Sequence, residues 1–195
     1  MKKLILLVIL LSSQVSWSMS AALTPENRAL FSAKTAAEAQ IALAAGADIN
    51  AEDEDGGTAL HIGTISGNKE VTQLLLDRGA NVNAKDTDGR TALHYAGNNQ
   101  EIAQLLLGRG ADIDARDNYG RTTLHYARHN QEVIQLLLDR GADINARDND
   151  GSTVLDMAKK RSARATVSST FKTKLDQIIR LLEIADPELD TDEKS

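Results

Sequence analysis

Three histidines at equivalent places in the chain are the first candidates for chemistry, because histidine is a common metal ligand and proton-transfer group. His61, His94 and His125 each close a Thr-x-Leu-His segment of this 195-residue chain. If these segments belong to stacked units, equivalent atoms of neighbouring units lie roughly 10 Å apart. The ligands of one zinc ion each lie about 2.0–2.1 Å from it. The three histidines are therefore predicted to be structural, and no metal site is expected among them.

Aspartates form a second candidate, since Asp-x-Asp-Gly recurs over residues 53–56, 86–89 and 148–151. A calcium loop of the EF-hand type needs one further ligand five residues before the glycine and a glutamate six residues after it. Neither position offers a carboxylate, because the residues there are Ala51, Ala84, Ala146, Ile62, Tyr95 and Met157. These segments are predicted to be polar turns.

Other catalytic and cofactor motifs are missing from the sequence. The chain has no cysteine, which excludes disulfides, thiolate nucleophiles and cysteine-based zinc sites. The Gly108-Arg109-Gly110 segment is a fragment of a dinucleotide-binding fingerprint, but it follows a predicted helix and lacks the third glycine. No nucleophile, base and orienting residue can be assembled. We therefore expect no catalytic site, no cofactor and no metal, and an enzyme is the less favoured alternative.

The elements that position these residues come from a segment that recurs every 31 to 33 residues. Gly-x-Thr-x-Leu-His begins at residues 56, 89 and 120, and each copy continues through Leu-Leu-Leu to Gly-Ala-x-x-x-Ala. A fixed period of this length indicates a solenoid of stacked units. The pattern resembles the ankyrin repeat over roughly residues 28 to 160. The family's usual proline after the threonine is absent, two copies are two residues short, and Asp156 stands where histidine is expected.

The resemblance implies an all-α, ankyrin-type helical repeat solenoid with short projecting β-hairpin loops, in which each histidine braces its own repeat. Residues 21–51 and 147–185 are predicted to be divergent capping repeats, because end units must turn one face to water. The full repeats are predicted at 52–84, 85–115 and 116–146, and residues 186–195 form an acidic tail.

Capping residues set the predicted helix boundaries in each unit. The first helix is predicted to follow an N-cap threonine whose hydroxyl accepts a backbone N–H, at Thr58, Thr91, Thr122 and Thr153. In the two shorter copies, Asn98-Asn99 and His129-Asn130 are expected to reverse the chain with asparagine in the left-handed conformation. The second helix is predicted to end at a left-handed glycine, at Gly79, Gly110 or Gly141. The leucine triplets are predicted to be core.

The amino-terminal residues 1–20 have the pattern of a secretory signal peptide. Lys2 and Lys3 precede the apolar run 4–11, and small polar residues follow it. The run is much shorter than the roughly 20 residues needed to cross a bilayer. Cleavage is expected before residue 19 or 21, so the mature protein is predicted to be periplasmic or secreted, with no membrane association.

Charge and composition restrict the partners. Removing residues 1–20 removes two lysines and no acidic residue, which changes the net charge from −6 to −8. This charge disfavours binding to nucleic acid, whose phosphates would be repelled. The 3% aromatic content leaves few rings for stacking on bases. The basic stretch from Lys159 to Lys174 is predicted to be a solvated linker, and we expect a monomer that binds a protein.

Positions that vary between copies are the predicted partner contacts. They lie at the loop tips and at the end of the first helix, and they are Glu52, Glu54, Lys85, Thr87, Arg90, Arg116, Asn118, Tyr119, Arg121, Arg128, His129, Arg147 and Asn149. The copies disagree at Arg116, Asn118, Tyr119 and Arg128, and these four residues are predicted to be free of any role in stacking. The predicted function is a non-catalytic interaction module, exported across the inner membrane, that binds a protein through the loop tips and the concave helix face. The alternative is a secreted effector that binds host proteins.

Overall fold

The computed structural model describes residues 23–127, 130–163 and 169–186. The described chain is all-α, as predicted, and it contains no β-strand. The helices are α1 Pro25–Phe31, α2 Ala36–Ala44, α3 Ala59–Ile65, α4 Lys69–Asp77, α5 Ala92–Tyr95, α6 Gln100–Leu107, α7 Thr123–Tyr126, α8 Gln131–Asp139, α9 Val154–Ala163 and α10 Ser169–Ala185. None of these helices is long and apolar enough to span a membrane.

The helices form two layers of a solenoid. Each unit contributes an antiparallel helix pair, such as α3 with α4, joined by a short reversal. First helices contact first helices of the next unit (α3, α5, α7 and α9), and second helices contact second helices (α2, α4, α6 and α8). The carboxy-terminal helix α10 packs on α8 and α9 and closes the stack. This arrangement places the loops that join successive units side by side.

Asparagine begins the second helix of each full unit. The Asn68, Asn99 and Asn130 side chains accept hydrogen bonds from backbone N–H groups three residues later, at 3.0–3.1 Å. Such N-caps satisfy donors that the first turn of a helix leaves free. The prediction that asparagines adopt the left-handed conformation in the reversals is wrong, because no residue other than glycine has a positive φ in the described chain. In the second copy, the shortened reversal is instead a 3-10 turn over Ala96–Asn98.

Glycine ends the second helices, as predicted. Gly79, Gly110 and Gly141 have φ of 87°, 83° and 86°, in the left-handed region. At the first of these sites, the Ala80 N–H donates to the Leu75 carbonyl at 3.0 Å, which closes the helix end.

Two clusters of buried hydrophobic residues follow one another along the stack, and Leu107 packs against both. The middle leucine of each triplet, Leu75, Leu106 or Leu137, is 0% exposed, whereas the residues beside it are buried or partly buried. At the carboxy-terminal end, Leu175, Ile178 and Leu182 of α10 are buried. The predicted signal peptide, and the acidic tail beyond Asp186, lie outside the described residues.

Candidate protein-binding surface

An aspartate closes the loop at the start of each repeat. In the second full loop, the Asp86 Oδ1 accepts the backbone N–H groups of Asp88 and Arg90, each at 2.9 Å. Asp53, Asp117 and Asp148 make the same pair of bonds in their own loops, at 2.7–3.0 Å. The carboxylate oxygen is therefore used to fix the turn. The described residues contain no cluster of three or more His, Cys, Asp or Glu side chains that could hold a metal ion.

Glycine allows each loop to approach the next. Gly89 has a φ of 75°, and a Cβ on it would lie 2.5 Å from the Asn118 Oδ1 and 3.0 Å from the Asn118 backbone nitrogen. Any larger residue would be strained by the backbone conformation and would also push the neighbouring loop away. The loops carry no strands and differ in this from the β-hairpins implied by the resemblance. They are tight turns that pack directly on one another.

Main-chain hydrogen bonds join the successive loops into one row. The N–H groups of Thr87, Asn118 and Asn149 donate to carbonyl oxygens of the preceding loop, each at 2.9 Å. The side chains add to this row: the Thr87 hydroxyl and the Asn118 and Asn149 amides each donate to the preceding loop at 2.9–3.0 Å. These three predicted contact residues are exposed, but they also stabilise the stack.

A column of cations reinforces the same row. The Lys85 Nζ donates to the Arg116 carbonyl at 3.0 Å, and the Arg116 Nη1 donates to the carbonyls of Arg147 at 2.7 Å and Gly120 at 3.0 Å. Arg147 donates to the carbonyl of Gly151 in its own loop at 2.8 Å. The prediction that Arg116 is free of any stacking role is therefore wrong, since its guanidinium links two loops. Replacing it would leave carbonyl acceptors unpaired and affect stability as well as binding.

Tyr119 is the large side chain that the loop row exposes. It is 49% exposed at the tip of the third loop, and the Arg121 guanidinium carbon lies 5.5 Å from its ring centre. Glu52 and Glu54 are also exposed, at the amino-terminal end of the row. Two further predicted contacts, Arg128 and His129, lie outside the described residues.

Arg90 and two tyrosines form a compact cluster behind the loops. The Arg90 Nη1 pairs with Asp88 at 3.0 Å, and its Nε donates to the Tyr126 hydroxyl at 3.2 Å. That hydroxyl donates to the Asp117 Oδ2 at 2.5 Å, and the Tyr95 hydroxyl donates in the same way to Asp86. The Arg90 guanidinium carbon lies 5.9 Å from the Tyr95 ring centre and 5.7 Å from that of Tyr126, a cation–π arrangement.

This cluster perturbs its own ionisable groups. Burial of Asp117 alone would raise its pKa, but hydrogen bonds from Tyr126 and from the backbone N–H groups of Arg121 and Tyr119 hold the pKa below its usual value. Burial, together with the hydrogen bond to Asp117, raises the pKa of Tyr126. At neutral pH the Asp117 carboxylate is therefore ionised and the Tyr126 phenol is neutral, so the phenol can donate a hydrogen bond to the carboxylate.

The family comparison agrees with this geometry. The profile of ankyrin repeats matches the chain three times, over residues 29–117, 87–148 and 109–167. The chain belongs to the ankyrin repeat family. No curated protein matches the chain significantly. Ankyrin repeats are generally protein–protein interaction modules and typically non-catalytic.

The repeated histidine links each ankyrin repeat to the next. At His94, Nδ1 accepts the Thr91 backbone N–H at 3.0 Å, so the proton of the neutral ring is on Nε2. That Nε2 lies 3.1 Å from the Arg121 carbonyl and donates to it. His61 and His125 reach the carbonyls of Arg90 and Ser152 in the same way, at 3.2 and 3.3 Å. The bracing thus extends beyond the histidine's own repeat.

Burial keeps these histidines neutral. All three are 1–2% exposed, and loss of solvation is the main reason that the pKa of each lies below its usual value. A neutral ring is required here, because Nδ1 must accept a hydrogen bond while Nε2 donates one. In the last copy, Asp156 stands in place of this histidine. Asp156 accepts the Thr153 N–H at 3.0 Å, which retains the cap in the last loop-bearing unit.

Sequence reasoning missed one feature of the surface. A pocket of about 540 Å³ lies beside the last loop, lined by Arg121, Asp148, Asp150, Ser152, Met157, Lys160 and Arg161. The sequence feature that could have indicated this pocket is Met157. It stands nine residues after the loop aspartate, and the preceding two repeats have tyrosine at that position, Tyr95 and Tyr126. Of the pocket residues, only Arg121 was among the predicted contacts.

Proposed function

We propose that this chain is a non-catalytic module that binds one partner protein across its row of loops. The observation that carries the proposal is the row itself, in which main-chain bonds of 2.9 Å fix three successive loops to their predecessors. A surface that is already ordered loses little conformational entropy when it binds, which favours affinity. Tyr119 projects from this ordered row, and tyrosine is one of the residues most often dominant at protein interfaces.

Charge along the row restricts the complementary surface of the partner. The first loop is acidic, with Glu52, Glu54 and Asp55 exposed. The next three loops present a cation at the corresponding position, Lys85, Arg116 and Arg147, and all three are exposed. A partner with the opposite order of charge would be steered into a single orientation, and this attraction weakens with salt.

We expect Tyr119→Ala to weaken binding of the partner by about 1–2 kcal/mol or more, because the ring is the main exposed apolar group of the row. Its stability should change by no more than about 0.5 kcal/mol, the usual range for surface changes. Ile184→Ala is the control: Ile184 is 85% exposed on α10, the carboxy-terminal helix. After capture of a partner with the mature protein, calorimetry and thermal melts of both variants measure the two effects. Wild-type affinity of Tyr119→Ala, with loss of binding in Ile184→Ala, would move the interface to the carboxy-terminal cap.

Arg116→Ala is a useful contrast, because we expect it to reduce both affinity and stability through its bonds to two carbonyls. Arg116→Lys keeps the charge but not the double contact, and so it separates the electrostatic effect from the structural one.

We further propose that the module acts after export. The support is the charged start and short apolar run of residues 1–20. Protein recovered from the periplasmic fraction should have an intact mass that corresponds to a start at residue 19 or 21. A full-length mass, or protein confined to the cytosol, contradicts the export proposal and leaves the binding proposal untouched. The amount in the medium separates a periplasmic helper from an effector.

A further inference from the structure

A three-residue relay crosses the interface between the second and third full repeats. The Arg90 Nε donates to the Tyr126 hydroxyl at 3.2 Å, and the hydroxyl donates to the Asp117 Oδ2 at 2.5 Å. The phenol oxygen therefore satisfies a guanidinium donor and a carboxylate acceptor at once. Arginine comes from one repeat, and tyrosine and aspartate come from the next.

The corresponding relay at the next interface lacks its middle member. Arg121 and Asp148 occupy the places of Arg90 and Asp117, but Met157 replaces the tyrosine. The Arg121 Nε and the Asp148 Oδ2 form an ion pair at 3.7 Å, which is beyond hydrogen-bonding distance. Both atoms are buried and have no hydrogen-bond partner in the described chain, and the Asp148 side chain is only 2% exposed. A buried polar atom that lacks a hydrogen bond is unfavourable even beside an opposite charge, so this pair favours a group that can hydrogen-bond to both atoms.

An open pocket lies beside these two atoms. Arg121, Asp148 and Met157 line it, and its volume is about 540 Å³. Lys160 and Arg161 complete the wall, so the pocket has three cations against the two carboxylates of Asp148 and Asp150. The balance favours an anionic group near the two basic residues of α9.

We propose that this pocket binds a phenol that carries a nearby carboxylate. The phenol hydroxyl donates to the Asp148 Oδ2 and accepts from the Arg121 Nε, as the Tyr126 hydroxyl does one repeat earlier. The ring lies beside the flexible Met157 side chain, where sulfur–aromatic contact is favourable. The carboxylate faces Lys160 and Arg161. The Arg121 side chain is 31% exposed and can shift to admit the hydroxyl.

This chemistry has two sources, a tyrosine in an acidic peptide segment or a free hydroxyaryl acid. Neither depends on the loop row, so the inference goes beyond the proposed protein-binding function. A chain that binds the small acid but no protein would refute the proposed function and retain this site. A chain that binds its partner through Tyr119 but not the phenol would do the opposite.

Titration of the full mature chain with 4-hydroxyphenylacetate tests the site, followed by NMR of the Met157 methyl group and the Arg121 Nε–H. We expect saturable shifts of both signals. Phenylacetate, which lacks only the hydroxyl, should bind at least about tenfold more weakly, the loss expected for one hydrogen bond to charged groups. Equal binding of the two acids, or unchanged spectra with 4-hydroxyphenylacetate, overturns the proposal.

Substitutions at Met157 provide the decisive control. Met157→Tyr should complete the relay internally, so we expect a higher melting temperature and loss of 4-hydroxyphenylacetate binding. Met157→Phe fills the same space without the hydroxyl, and it should lose binding without the same gain in melting temperature. Met157→Leu leaves the pocket open but removes the sulfur, so it should still bind, up to about tenfold more weakly than the wild type. Binding by Met157→Tyr at wild-type affinity, or an equal melting temperature of the tyrosine and phenylalanine variants, contradicts the assigned geometry.

Short peptides distinguish the two sources. An acidic peptide with one internal tyrosine should compete with 4-hydroxyphenylacetate if the natural ligand is a protein segment, and the matched phenylalanine peptide should not. Failure of the tyrosine peptide to compete, with the small acid still bound, assigns the pocket to a free hydroxyaryl acid.

Discussion

Leu106→Ala should lower the free energy of unfolding by about 2–5 kcal/mol. Leu106 lies in the second of three full repeats and is 0% exposed, so its removal leaves a cavity in the middle of the stack. Its backbone carbonyl also accepts the Ala111 N–H at 3.1 Å, in the bond that ends α6. Units of a solenoid are stabilised by their neighbours, and a cavity in a central unit weakens the packing on both sides.

Ile65→Ala provides the matched control, because it also shortens an aliphatic side chain but at a site that is 57% exposed. We expect a change within about 0.5 kcal/mol. Urea titrations of wild type and both variants, followed by circular dichroism, measure the effect. Similar losses in the two variants would show that the middle leucine is not the main packing residue of its repeat.

The period of the sequence predicted a solenoid of stacked units, and the resemblance to ankyrin repeats predicted that these units are helical. Residues that every repeat needs for packing must recur, and so Leu106, Gly110 and Thr91 were identified by recurrence alone. Gly110 has a φ of 83° at the helix end, as its position after the leucine triplet predicted. Local capping chemistry explains this success, because it acts within a few residues of the chain.

Variation between copies was a weaker guide to the binding surface. Lys85, Arg116 and Arg147 differ in type or context, yet each donates to a main-chain carbonyl of a loop. A carbonyl accepts equally from lysine and arginine, so the sequence can vary while the structural role remains. The error over Asn99 has a similar origin, since asparagine serves both as a left-handed turn residue and as an N-cap.

The pocket at the last loop could not be predicted from the sequence, because recognising it requires knowing which tyrosine and aspartate hydrogen-bond to each other. Met157 was recognised only as a residue without a carboxylate. Its consequence becomes clear once Tyr126 is seen to satisfy Asp117 and Arg90 together. The hydrogen bond between Tyr126 and Asp117, nine positions apart, must be known first. Only then does Met157, in place of the tyrosine, indicate that Asp148 lacks the same hydrogen bond.

Mild acid should destabilise the fold through its three buried histidines. Burial lowers the pKa of each below the usual 6.5, so the unfolded chain takes up protons first as the pH falls. The contribution of the neutral histidines to the free energy of unfolding is therefore fully present above about pH 6.5. It decreases below that pH until the folded histidines also titrate. Each histidine can contribute at most about 1.4 kcal/mol per pH unit in this window. Protonation also disrupts the brace itself, because Nδ1 can no longer accept the threonine N–H.

His94→Gln tests whether the brace is the source of this acid sensitivity. Glutamine at the third helical position can accept the Thr91 N–H as in a capping box, but it does not titrate. We expect the variant to lose roughly a third of the pH dependence between about pH 7.5 and 5.5, since one of three such histidines is removed. Carboxylates contribute little in this range, as the usual pKa of aspartate is about 3.9. Urea titrations at several pH values measure the slope directly. An unchanged slope would mean that other groups cause the acid sensitivity, and a flat wild-type profile would mean that the buried rings accept protons without cost.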